Sequence, residues 1–300
     1  MRPRAVVSLG VVAVVLSVGG VAAAVVHNDP AAGSAAASCA PMSAGTHRIA
    51  VERGRVPVVV HVPPKLMTGA PLILALPGAG QSARDFADYT GYSRLADEEH
   101  VAVAYATASG ARPLWNVTDA IPGHEQDVPY LRAVIPAAVR AACADASRVG
   151  VTGVSNGGGM SARLACDAAD LLAAAAPVAG GYGALPDCHP SRPVPVLEIH
   201  GTADEVVPYR GKGNPVRGDV ASFLAQWRRL DGCSGTPRIR GVSEEVVELR
   251  SVGCAGGTQV IHDRVEGAPH GWPGEDDLAS GKRGFSSTRR TFDFLTSFRR

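Results

Sequence analysis

Short, almost wholly apolar runs alternate with longer amphipathic ones from residue 46 onward. Residues 71–76, 101–106 and 194–200 are nearly continuous in apolar side chains, the pattern of strands buried on both faces of a mainly parallel sheet. Between such runs, apolar residues recur at helical spacing over 83–100, 127–144, 156–168, 220–230 and 285–298. In the second of these, Val128, Leu131, Val134, Ile135 and Val139 share one face. Residues 47–52 and 56–62 read as two strands around the turn Arg53-Gly54-Arg55. Residues 149–154, 171–178, 245–252 and 259–265 complete the strand set. Strands alternating with helices imply βαβ crossovers, a parallel sheet and helices on both faces. No internal repeat and no composition break after residue 46 signals a second domain.

The first residues change the picture. Met1-Arg2-Pro3-Arg4 is basic, and residues 5–26 carry no charge. Residues 1–26 read first as a cleaved export signal, second as an uncleaved membrane anchor and third as a lipoprotein leader. Residues 27–45, rich in Ala, Ser, Asn, Asp and Pro, read as a flexible linker. The catalytic-domain candidate is then 46–300. Every version exports that domain, so a secreted or envelope-associated location is expected, with membrane attachment under the anchor reading.

Six cysteines fit an oxidising destination. Cys233 with Cys254 is the first expected pair, since both lie in polar, Gly-rich stretches. Cys166 with Cys188 follows, leaving Cys39 with Cys143. Closing the Cys233–Cys254 loop stabilises by about 3 kcal/mol in the chain-entropy model. No Cys-x-x-Cys or zinc-type His/Cys cluster occurs, so no metal site is expected. The formal net charge of +1 gives no electrostatic case for a nucleic-acid partner.

Chemistry gathers where parallel strands end. Gly153-Val154-Ser155-Asn156-Gly157 follows a β-branched run and opens a helical pattern. A sharp strand-to-helix turn of this kind lifts a serine hydroxyl out of the sheet and aims the next backbone N–H at a reacting carbonyl. An acid, Asp204, follows the strand ending at His200. A histidine, His270, follows the last strand. The order Ser, Asp, His is that of α/β-hydrolases. Glu205 competes with Asp204, and His262 with His270. His262 lies inside a strand pattern and is expected to face solvent. His124, Glu125 and Asp127 read as a solvated loop leading into a helix that Asp127 caps. Asn116-Val117-Thr118 forms a glycosylation sequon.

Three stretches carry a more specific resemblance: Gly153-Val154-Ser155-Asn156-Gly157-Gly158, the run His200-Gly201-Thr202-Ala203-Asp204-Glu205-Val206-Val207-Pro208-Tyr209, and His270-Gly271-Trp272-Pro273-Gly274. With them, residues 71–300 resemble the secreted polyhydroxybutyrate depolymerase/feruloyl esterase branch of the α/β-hydrolases. The resemblance implies Ser155 as nucleophile, Asp204 as acid and His270 as base. It also implies oxyanion donors from the backbone of Asn156 and Ala79, although Pro77-Gly78 stands where that branch usually has His-Gly. No metal or organic cofactor is implied. Trp115 and Trp272 flank the expected cleft in sequence and are candidates to stack on an acyl group or sugar.

The fold expected is an α/β-hydrolase with no large lid, since 107–126 is the one sizeable insertion before the helix at Asp127. The activity expected is hydrolysis of small or polysaccharide-linked carboxylic esters by a monomer. A peptidase, an acyltransferase and a non-catalytic envelope binding protein are the other readings of the same chain.

Overall fold

The computed structural model describes residues 39–52, 55–118, 127–183, 188–211, 218–274 and 284–300. The expectations for residues 1–38, for the turn at Arg53 and Gly54, and for His124 and Glu125 lie outside these. Cys39–Arg300 forms one compact unit. At its start, residues assigned above to the linker are tied down. Cys39 is bonded to Cys143, and the Met42 amide donates to the Ala141 carbonyl.

One ten-stranded sheet organises the unit. In chain order its strands are β1 (Gly45–Ile49), β2 (Val58–Val62), β3 (Leu72–Leu76), β4 (Ala102–Tyr105), β5 (Val149–Val154), β6 (Ala174–Val178), β7 (Val196–Gly201), β8 (Arg238–Gly241), β9 (Val246–Arg250) and β10 (Val260–Val265). They lie in the order β1-β2-β4-β3-β5-β6-β7-β10-β9-β8. The run from β4 to β10 is parallel, and antiparallel pairs close both ends.

The helices are α1 (Ala83–Thr90), α2 (Tyr92–Glu99), α3 (Asp127–Ala142), α4 (Asn156–Asp167), α5 (Val220–Leu230) and α6 (Ser287–Thr296). Strand period decides which layer each side chain joins. Leu72, Leu74 and Leu76 of β3 pack with Leu131 and Val134 of α3, Leu164 of α4 and Trp227 of α5. Ile73 and Ala75, pointing the other way, pack with Phe86 of α1, Leu95 of α2 and Leu295 of α6. A strand buried on both faces is thus apolar at every position, which is why these runs stand out in the sequence.

The single helix expected over 83–100 is two. Gly91 takes φ 64°, caps α1 through its amide to the Ala87 carbonyl and redirects the chain into α2. Glycine adopts this left-handed conformation without the steric cost borne by other residues. Ser82 and Asp85 close the start of α1 with a reciprocal capping box. Strand β8 went unread because all four of its residues are exposed, so no burial pattern marks it. The three expected disulfides are all present: Cys39–Cys143, Cys166–Cys188 and Cys233–Cys254.

Candidate active site

Ser155 joins β5 to α4 with φ 56° and ψ −120°, a conformation non-glycine residues rarely adopt. Packing enforces it. A Cβ on Gly153 would lie 2.4 Å from the Gly157 carbonyl oxygen, and one on Gly157 would lie 2.1 Å from the Leu76 carbonyl oxygen. The turn therefore presses against the end of β3 with no room for a side chain. The Ser155 amide donates to the Val178 carbonyl on β6, and its carbonyl accepts from Gly159 inside α4.

The acid and the histidine arrive on neighbouring loops because β7 and β10 pair in parallel. The Thr202 amide donates to Val265, the Ala203 amide to Ala268, and the Gly267 amide to the Thr202 hydroxyl. This lacing brings Asp204 and His270 together. His270 Nδ1 lies 2.7 Å from Asp204 Oδ2, and His270 Nε2 lies 2.9 Å from Ser155 Oγ. A carboxylate only accepts, so Nδ1 carries the proton and Nε2 is free to accept from the serine hydroxyl. Asp204 is 4% exposed. Burial alone pushes its carboxyl upward in pKa. The hydrogen bonds from His200, His270 and the Val207 backbone outweigh it and hold the group well below the usual carboxylate range. Glu205, the competing acid, is exposed.

The loop after β3 completes the surroundings. The Gly78 amide is committed to Gln81 Oε1, the Gly80 amide to the Pro113 carbonyl and the Gln81 amide to Gly78. The amides of Ala79 and Asn156 donate to no group among the described residues. The side chain of Asn156 does different work: Oδ1 accepts from the Trp115 amide at 2.7 Å and Nδ2 donates to the Trp115 carbonyl at 2.9 Å. It clamps the 107–118 segment against the turn.

Four expectations need correction. Trp115 is 1% exposed, with Nε1 donating to the Pro77 carbonyl. Trp272 is 5% exposed, packed edge-on against Phe86 and Tyr92 with Nε1 donating to Thr288. Neither indole has an open face for a substrate, so both act as packing behind the site. His262 does not face solvent; it is buried, with Nε2 2.6 Å from the Tyr209 hydroxyl. Its strand, β10, is interior to the sheet and buried on both faces. Asp127 begins α3, but its carboxylate ties two other segments together, accepting from Arg55 and from the Asn116 amide. Asn116, the sequon asparagine, is itself 1% exposed.

Sequence reading also missed residues. Glu198, His200, His262 and Tyr209 form a buried polar cluster directly behind Asp204. The available signal was Glu198 and His200 standing two apart on a strand that is otherwise apolar. Tyr89 was missed too; its hydroxyl accepts from the Trp272 amide and fixes the start of the segment after His270.

A mostly parallel sheet covered by helices on both faces, with serine on the strand-to-helix turn, is the α/β-hydrolase fold. The structural neighbours agree on the fold. The acetyl xylan esterase from Aspergillus awamori superposes with a TM-score of 0.62 at 14% identity, covering 79% of this chain and 98% of that one. An S-formylglutathione hydrolase from Agrobacterium tumefaciens gives a TM-score of 0.55 at 15% identity over 85% of this chain and 94% of its own. In sequence, the chain is 38% identical over 241 residues to a putative esterase, NocK, of Nocardia uniformis subsp. tsuyamanensis, covering 70% of this chain and 68% of that relative. The chain belongs to this esterase family of α/β-hydrolases. It is also 35% identical over 178 residues to feruloyl esterase B of Piromyces equi, covering 52% of this chain but only 31% of that longer protein. No protein-family model matches the chain.

Proposed function

We propose that this protein is an exported serine carboxylesterase that acts on small acyl esters, of feruloyl or acetyl type on polysaccharide or of short hydroxyalkanoates. The observation that carries the reading is the hydrogen-bonded row Ser155–His270–Asp204 at the carboxyl ends of β5, β7 and β10. His270 takes the Ser155 proton as Oγ attacks the ester carbonyl, and Asp204 fixes the tautomer and stabilises the imidazolium. The amides of Asn156 and Ala79, which meet no acceptor among the described residues, hold the oxyanion; one such donor is worth about 3 kcal/mol in the transition state. His270 then gives the proton to the leaving alcohol. Water, activated by the same histidine, hydrolyses the acyl-enzyme and restores the serine. The chemistry calls for no metal or organic cofactor and no second subunit.

Names of relatives favour acyl groups on plant polysaccharide: one is a feruloyl esterase, another a bifunctional acetylxylan esterase/xylanase of Neocallimastix patriciarum. The polyhydroxybutyrate alternative rests on the motifs alone. Export is supported by the basic-then-apolar start of the chain and by three disulfides. A fluorophosphonate probe tests the mechanism: it labels the wild type and leaves Ser155→Ala unlabelled. Equal labelling of both, or none of either, sinks the reading. Rates on p-nitrophenyl acetate, longer p-nitrophenyl esters and methyl ferulate then rank the substrate classes.

A further inference from the structure

Asp204 is backed by ionisable groups that ester hydrolysis as described does not use. Glu198 and His200 on β7 and His262 on β10 are 0%, 0% and 2% exposed. Two donors converge on one oxygen of Glu198, and a second imidazole faces the other. The Tyr182 hydroxyl, itself receiving the Gly180 amide, donates to Oε1 at 2.8 Å. His200 Nδ1 lies 2.9 Å from the same oxygen. His262 Nδ1 lies 2.5 Å from Oε2 but closes no hydrogen bond there. A carboxyl group whose one oxygen accepts from both a tyrosine hydroxyl and an imidazole is held as a carboxylate. Burial pushes Glu198 upward in pKa, but His262 and His200 overcome it and hold it at about 2.

The charge on His200 follows from its partners. Nε2 lies 2.9 Å from the Val207 carbonyl oxygen and 3.2 Å from Asp204 Oδ2, both of which only accept. Nε2 therefore carries a proton. Nδ1 faces a carboxylate and carries one too, so the ring is an imidazolium. Burial works against that charge; the bonds to Asp204 and Glu198 exceed it and push His200 up to about 10. The other groups around the ring are neutral or already paired. Tyr182 and Tyr209 meet it edge-on, and Arg264, its register partner on β10, is turned to Glu266 at 2.6 Å. Asp204 in turn spends Oδ1 on the Val206 and Val207 amides, leaving Oδ2 between His200 and His270.

We propose that His200 is a positioning residue, a permanent imidazolium clamped between Glu198 and Asp204 that fixes the Asp204 carboxylate and offsets part of the negative charge felt by His270. The inference rests on the Ser155–His270–Asp204 reading. An uncompensated carboxylate 2.7 Å from an imidazole favours its protonated form. A protonated His270 cannot accept from Ser155. The cation behind Asp204 weakens that pull and keeps His270 free as a base at lower pH. The sign is fixed: removing the positive charge makes His270 hold its proton to higher pH, so the acid limb of the rate profile moves up.

The test is His200→Gln in the full chain, with kcat and KM for p-nitrophenyl acetate measured across pH. Glutamine keeps a donor for Val207 or Asp204 but carries no charge. The expected result is an acid limb of kcat displaced upward by about one pH unit. kcat falls about tenfold on the acid side and recovers on the alkaline side, with KM little changed. A uniform fall in kcat with the limb unmoved makes His200 merely structural and overturns the proposal. If the variant fails to fold by circular dichroism, nitrogen-15 NMR of the wild-type histidines decides. Both ring nitrogens of His200 are expected to be protonated at pH 8, and one bare nitrogen overturns the proposal. A wild type that hydrolyses no ester would sink the esterase reading, and the NMR result would still judge His200 separately.

Discussion

The ends of β5 and β7 hold Ser155 and Asp204 by different physics. Ser155 is fixed by steric exclusion: its turn is walled by the backbone carbonyls of Leu76 and Gly157, and it survives only because Gly153 and Gly157 have no Cβ. Asp204 is fixed by donors: two backbone amides on one oxygen, two histidines on the other. Steric positioning is indifferent to pH. Positioning by charge depends on the protonation of every member of the cluster. One site therefore contains a rigid half and a titratable half.

The largest effect on the titratable half comes from Asp204→Asn. The amide can present its NH₂ to His270 and so favour the wrong tautomer, leaving no acceptor for Ser155. The expected loss in kcat is about 10⁴-fold near neutral pH, with the fold intact by circular dichroism. A loss under about tenfold would mean that Asp204 is not the partner that matters. On the rigid half, Gly157→Ala is the counterpart. Its new methyl would sit 2.1 Å from one backbone oxygen and 2.4 Å from a second, that of Pro77. Backbone must move, so the expected cost is about 3 kcal/mol or more, read by urea denaturation, and the loss is the same at every pH. A variant of wild-type stability would show that the turn is looser than its contacts imply.

The two halves differed in how well the sequence announced them. A steric solution leaves a composition mark, because glycines flanking Ser155 are the residue type such a turn demands. The meeting of Asp204 with His270 was legible through strand order and loop position. The cluster behind Asp204 was not, since the placing of His262 opposite Glu198 depends on which strand neighbours β7. Pairing of β10 between β7 and β9 is a long-range outcome with no local signal. The same reason misplaced Trp115 and Trp272: an aromatic near a cleft in sequence has its exposure decided by packing, here against Pro77 and against Phe86 and Tyr92. The break at Gly91 was visible as a glycine, but helical spacing on both sides masked it.

A disulfide gives a control that touches neither half. Cys233–Cys254 joins the end of α5 to the segment after β9. Replacing both cysteines with serine is expected to cost about 3 kcal/mol of stability and to leave kcat and its pH profile unchanged. A displaced pH profile would mean that strain at this end of the sheet reaches the site.

Asp231 sharpens the comparison from the opposite side, because it shows a buried carboxylate without Asp204's donors. It is 0% exposed; Oδ1 accepts from the Val194 amide at 3.1 Å, while Oδ2 closes no hydrogen bond among the described residues, the nearby Thr258 hydroxyl donating instead to the Ala255 carbonyl. Burial pushes its carboxyl up to about 6, where Asp204 is held low. Its pKa in the folded state thus lies above that of an unfolded aspartate, near 3.9. The folded state binds the proton more tightly, so Asp231 favours folding below about pH 4, and that contribution is lost as pH rises to about 6. Asp231→Asn removes the titration and keeps an acceptor for Val194, but buries an amide where Oδ2 lacked a partner. The expected outcome is a variant about 1–2 kcal/mol more stable than wild type at pH 8, with the advantage gone by pH 4. Urea denaturation at both values reads it. Parallel stability curves across that range would mean that Asp231 titrates like an exposed carboxylate, and that donor count is not what separates it from Asp204.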